Sequence, residues 1–163
     1  KIQQASPLPL GFLSEAEFVD FYLCQEFPMD EMLNLLNNSL PAGIKIIDLK
    51  PIPLNAPPLQ TLTLSSLYHV YFLDEIDTNW LNAAMITLLD KKSIPRLRRG
   101  KSYDLRPLIF NLELSDSDHP YLIMELSTRE DATGRPEEVL KELNIPFENT
   151  RIIRKQIIFN NHQ

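Results

Sequence analysis

Residues 51–60 read PIPLNAPPLQ, and four prolines in ten positions rule out both a helix interior and a central sheet strand there. The stretch therefore separates what folds before it from what folds after it. Residues 55–66 are expected to form a Pro-rich linker between a first unit, residues 1–54, and a second, residues 67–163.

In the first unit, EFVDFYLC at residues 17–24 alternates Val19, Phe21 and Leu23 against Phe18, Asp20 and Tyr22, the period of a strand. After Pro28, the residues Met29, Met32, Leu33, Leu36 and Leu40 recur at helical spacing until Pro41-Ala42-Gly43 supplies a stop. The β-branched stretch from Ile44 predicts a returning strand. Beyond the prolines the plan repeats. YHVYFL from Tyr68 is strand-like, and Asp77 or Thr78 is placed to cap a helix with the apolar stripe Trp80, Leu81, Ala84, Met85, Leu88 and Leu89. IPRLRR at residues 94–99 reads as a returning edge strand, because Pro95 lacks the ladder donor. YLIMEL from Tyr121 alternates again, Pro136 stands where a first helical residue belongs, and TRIIRKQIIF from Thr150 closes with a long strand.

Such units predict an α+β fold of ferredoxin-like split βαβ units, with antiparallel or mixed sheets and helices on one face. Residues 67–163 would make one complete unit. Residues 1–54 would be the C-terminal half of another whose N-terminal half is missing, which implies a fragment of a longer polypeptide.

The 163-residue chain carries 22 acidic against 16 basic side chains, a formal charge of -6, which disfavours wholesale coating of nucleic acid or anionic membrane. Cys24 is the single cysteine, so no internal disulfide forms and a reducing, cytoplasmic setting is expected. No apolar run approaches the length of a membrane span. Four scattered glycines, Gly11, Gly43, Gly100 and Gly134, exclude glycine-rich nucleotide loops. His69, His119, His162 and Cys24 lack metal-ligand spacing, so no metal or cofactor is expected in this chain. His69 and His119 read as structural, and Cys24 as a small buried hydrophobe. Glu125 falls on the strand face opposite Leu122, Met124 and Leu126, where a sheet side chain either meets a ligand or simply faces solvent.

Positive charge gathers in KKSIPRLRRGK, where Lys91, Lys92, Arg96, Arg98, Arg99 and Lys101 form a patch suited to phosphate or an acidic partner. A cationic edge strand that blocks sheet-to-sheet aggregation explains the same residues equally well. Arg106 and Arg135 each precede a proline, and a carboxylate or phosphate clamp competes there with internal ion pairs to Asp104 or Glu138.

PLPLGFLSEAEFVDF at residues 7–21, NAPPLQ at 55–60, DLRPLI at 104–109 and GRPEEVL at 134–140 together resemble a family of radical SAM-linked proteins of unknown function, over nearly the whole chain. Members are encoded beside, or fused behind, cobalamin-binding radical SAM proteins. The resemblance implies association with such an enzyme in cis or trans, and the iron-sulfur cluster, S-adenosylmethionine and cobalamin it implies belong to that partner. The three-cysteine loop of the cluster is absent here. The family supplies no catalytic residues to carry over, so Arg106, Arg135, Asp104 and Glu15 are chosen from the motifs and local physics.

The expected role is a non-catalytic accessory or substrate-recognition domain, with Arg106, Arg135 and the 91–101 segment gripping an anionic substrate or partner. An RNA-binding module using that segment with Tyr68, Tyr71 and Phe72 is the first alternative. The second is a structural module that dimerises through an exposed strand edge.

Overall fold

The computed structural model describes residues 2–160. Its elements are strands β1 (Ile2–Gln4), β2 (Leu13–Ser14) and β3 (Val19–Phe21), helices α1 (Met29–Ser39) and α2 (Leu59–Leu62), strand β4 (Thr63–Phe72), helix α3 (Thr78–Leu89), strands β5 (Pro95–Arg98), β6 (Lys101–Asp104), β7 (Ile109–Leu114), β8 (Leu122–Arg129) and β9 (Ala132–Thr133), helix α4 (Pro136–Glu142), and strand β10 (Thr150–Phe159).

The main sheet runs β2-β10-β4-β8-β7, with β9 paired to β8. Its four long strands are antiparallel neighbours in the order β10-β4-β8-β7, and the chain visits them as β4-α3-β7-β8-α4-β10. That is the split βαβ arrangement expected from the sequence. Alternation decides the faces. Tyr68 and Val70 of β4, Leu122, Met124 and Leu126 of β8, and Ile152 of β10 join Leu81, Met85 and Leu88 of α3 and Val139, Leu140 and Leu143 around α4 in one buried cluster. Both longer helices of this unit thus cover one face, and the other carries His69, Tyr71, Ile123 and Glu125. Asp77 caps α3 as its spacing predicted, accepting from the backbone N–H of Asn79 at 2.9 Å and Trp80 at 3.1 Å. Pro136 occupies the first turn of α4.

Three expectations need correction. Among the described residues IPRLRR does not return to the main sheet: β5 pairs with β6 in a separate hairpin whose turn has positive φ at Arg99 (49°) and Gly100 (77°). Successive positive φ values are those of a type I′ turn, which a glycine at the second position accommodates. The strand that does return is β7, and a bulge between Ile109 and Asn111 breaks the alternation that would have revealed it. The stretch from Ile44 is not a strand; the Asn37 amide reaches across to it, donating to the Ile46 carbonyl at 3.0 Å and accepting from its N–H at 2.8 Å. The side chain thus supplies the pairing that a neighbouring strand would have given. Finally, residues 55–66 are not all linker, because α2 begins at Leu59 and β4 at Thr63.

The first unit is joined to the second. β2 extends the main sheet by pairing parallel to β10, Leu13 with Ile153 and Ser14 with Arg154, while β1 and β3 form their own antiparallel ribbon.

Candidate functional site

The basic hairpin is built against α4. Arg96 and Arg98 lie on one side of β5, as alternation predicted, and both reach acidic residues of that helix: Arg96 and Lys91 pair with Glu142, and Arg98 pairs with Glu138 at 2.8 Å. The Arg98 guanidinium also lies over the Tyr103 ring at 4.6 Å and donates to its hydroxyl at 3.0 Å. Lys91 first, then Arg96, hold the Glu142 carboxyl below its ordinary value, with burial opposing them. Half of the patch is therefore spent inside the molecule. Lys92, Arg99 and Lys101 are exposed and make no ion pair among the described residues, and Leu97 stands beside them 74% exposed. The arginines on the side of β5 that faces α4 are neutralised, and Arg99, Lys101 and Leu97 leave the turn end of the hairpin cationic and apolar.

Two of the sequence motifs meet at one contact. Asp104 accepts from the backbone N–H of Ile94 at 2.7 Å and of Arg106 at 3.0 Å; these bonds, led by Ile94, lower its pKa against a smaller effect of burial. Arg106 donates from Nε to the Leu89 carbonyl at 3.0 Å and from Nη1 to the Ile109 carbonyl at 3.1 Å. It ties the end of α3 to the start of β7 instead of reaching out to an anion. The chain then makes a short 3-10 turn, Arg106–Leu108, and a Cβ placed on Gly134 would stand 3.1 Å from the Leu108 carbonyl and 3.2 Å from its Cβ. Glycine at 134 thus lets DLRPLI and GRPEEVL pack together. Arg135, the residue before α4, is exposed and makes no ion pair among the described residues, to Glu138 or any other acid.

Sequence reasoning missed the centre of the polar architecture. Arg154 is 0% exposed; its Nη2 donates to both Glu17 carboxylate oxygens at 2.6 Å and to the Ser6 carbonyl at 3.0 Å, and its Nε to Glu17 at 2.9 Å. Burial raises the Tyr68 pKa in the same core, and the charge of Arg154 partly offsets this. The alternation of TRIIRKQIIF puts Arg154 on the face of Ile152, which was the available signal. Glu15 pairs with Lys155 next to that strand's bulge.

The opposite sheet face holds a compact aromatic group. Tyr121 lies 4.6 Å from His69 and 4.9 Å from Tyr71, centroid to centroid, with both pairs tilted by about a third of a right angle. Burial, and then the Lys155 charge, lower the His69 pKa, with Glu15 opposing. Glu125 lies on this face as expected and accepts from Ser65 Oγ at 2.7 Å. Tyr68 and Phe72 do not share it. Tyr68 is in the core and Phe72 packs against it, because successive residues of a strand face opposite sides and these two alternate with His69 and Tyr71.

Cys24 is exposed rather than buried. His119 is exposed in the loop after β7, and His162 lies outside the described residues. Among the described residues no three His, Cys, Asp or Glu side chains gather as a metal site, and no helix is long and apolar enough to cross a membrane.

The first unit leaves much apolar surface uncovered. Ile2, Leu10, Leu23, Leu35, Ile44, Ile47 and Leu54 are all exposed, and Met32 is the one residue of α1 that is buried.

A bacterial family described as an uncharacterized conserved protein (DUF2344) has a sequence profile that matches residues 1–136. No curated protein matches the chain. No solved structure matches it either.

Proposed function

The chain belongs to this uncharacterized bacterial family, and from that premise we propose that it is a non-catalytic accessory domain that docks on a radical SAM enzyme, encoded separately or fused to it. The observation that carries the reading is the set of large apolar side chains that residues 2–54 leave to water, Leu10, Ile47 and Leu54 foremost, the kind of surface a partner protein covers. The partner supplies the radical chemistry, with its iron-sulfur cluster, S-adenosylmethionine and cobalamin. The polar side chains that seemed most reactive here are engaged in internal bonds, notably Arg106, Asp104, Arg96 and Arg98.

Within this reading the hairpin tip, Arg99 and Lys101 with Leu97, steers an acidic surface of the partner or an anionic substrate, and Lys92 and Arg135 add further exposed cations. The RNA-binding alternative loses Tyr68 to the core and Lys91, Arg96 and Arg98 to ion pairs, so it ranks second. The test is co-expression with the neighbouring or fused radical SAM protein. Stable co-purification that is lost in Ile47→Ser/Leu54→Ser and weakened by Arg99→Glu/Lys101→Glu supports the proposal. Absence of a complex, or a complex indifferent to both double variants, refutes it.

A further inference from the structure

An antiparallel sheet with one wet face places polar residues on that side. The main sheet departs from this rule. Both longer helices of its unit lie against one face, yet Leu67, His69 and Tyr71 of β4, Ile123 of β8 with Tyr121 just before it, and Ile153 of β10 point the other way and are half-buried. Leu13 of β2, paired with Ile153, continues the surface and is 51% exposed.

The charges on this face are sorted by strand. Arg151 of β10 pairs with Tyr71 in the ladder and Glu113 of β7 pairs with Ile123, so a cation and an anion stand on opposite sides of the aromatic group and point the same way as it does. Both are exposed, and neither makes an ion pair among the described residues. They cannot meet within one molecule, because β10 and β7 are three strand spacings apart, roughly 14 Å. Their nearest charged neighbours are already engaged: Lys155 pairs with Glu15, and Glu125 accepts from Ser65 Oγ. Around the aromatic group Glu15, Glu113 and Glu125 offset Arg151 and Lys155, which leaves no excess of positive charge for a phosphate backbone. A two-fold axis parallel to the strands, by contrast, exchanges the two sides of the sheet and makes such a face complementary to itself.

We propose that this face is an interface between two copies of the chain, packed sheet to sheet about that axis, with Arg151 of each copy over Glu113 of the other and the aromatic group and Ile123 between them. The surface is distinct from the apolar side chains of residues 2–54 and does not depend on what they bind.

Charge reversal tests the arrangement. Sedimentation equilibrium of the parent should show monomers and dimers exchanging below about 300 µM, within reach of a small interface. Arg151→Glu alone, or Glu113→Arg alone, should weaken association by about tenfold or more, since each sets two like-charged pairs face to face. Mixing these two variants should restore it, because both contacts of the mixed dimer again join opposite charges. Ile47→Ser/Leu54→Ser should leave the dimer intact. A parent that stays monomeric, a dimer indifferent to both reversals, no recovery on mixing, or a dimer lost in Ile47→Ser/Leu54→Ser overturns the proposal. So does saturable binding of single-stranded RNA oligonucleotides that Arg151→Glu abolishes, which would make RNA the occupant.

Discussion

Glu15 and Glu17 stand two residues apart and each faces a cation of β10, yet they should differ sharply when neutralised. Glu17 is the anionic partner of Arg154, which is 0% exposed, whereas Glu15 meets Lys155 with 58% of its side chain in solvent. Removing one partner of a fully buried pair costs roughly 3–5 kcal/mol, because the remaining charge is stranded in a poor solvent. The Glu17 side chain is itself 36% exposed, and the Ser6 carbonyl still accepts from Arg154, so the cost of Glu17→Gln should be lower. A figure of about 2 kcal/mol follows, which at a urea slope near 2 kcal/mol/M moves the midpoint down by about 1 M. Glu15→Gln should cost under about 0.5 kcal/mol and move it by about 0.2 M. Adding Arg154→Met to Glu17→Gln should restore most of the loss, since the stranded charge and not the missing contact is the damage. Equilibrium urea unfolding of the four proteins decides the matter. Equal midpoints for the two glutamate variants, or a double variant less stable than Glu17→Gln alone, would refute the assignment of Arg154 as a buried charge held by Glu17.

Gly134→Ala should lower stability by roughly 1–3 kcal/mol, because its Cβ must displace the Leu108 backbone and side chain; thermal melting should show about 2–4 °C lost per kcal/mol, and an unchanged melt would contradict the close approach. Glu142 has a folded pKa held below its ordinary 4.5, so its stabilisation is complete above that value and disappears as pH falls through the folded one. Glu142→Gln should therefore be less stable than the parent at pH 7, with the gap closing below pH 4.5; a gap that persists in acid would refute the ion-pair account. In the hairpin, Arg99→Asn should stabilise by roughly 0.5 kcal/mol and Gly100→Ala destabilise by about 1 kcal/mol, since both positions need positive φ, and hydrogen exchange of the β5 and β6 amides should follow the same order.

Legibility in the sequence followed regularity. The period of YLIMEL and TRIIRKQIIF, the cap at Asp77 and the proline at 136 each carried their information locally, and the split βαβ plan followed from them. β7 was hidden because a bulge shifts its register, and IPRLRR was misplaced because a basic alternating strand looks the same in a hairpin as on a sheet edge. The candidate site was less legible. A cation in sequence does not announce whether it meets solvent or a glutamate forty residues on, which is why Arg98 looked free and Arg154 looked ordinary. Conversely, the motifs at 104–109 and 134–140 proved to be two sides of one packing contact, a role that neither shows alone.

The parallel pairing of β2 with β10 sets a timetable. Ser14 and Arg154 are 140 residues apart, so during synthesis β2 waits for β10 before it finds its place. Until β10 is made, β2 has no ladder partner and Glu17 lacks Arg154, and the long loop they close makes that closure slow. β2 is thus seated late, and any truncation that removes β10 leaves it without its partner strand.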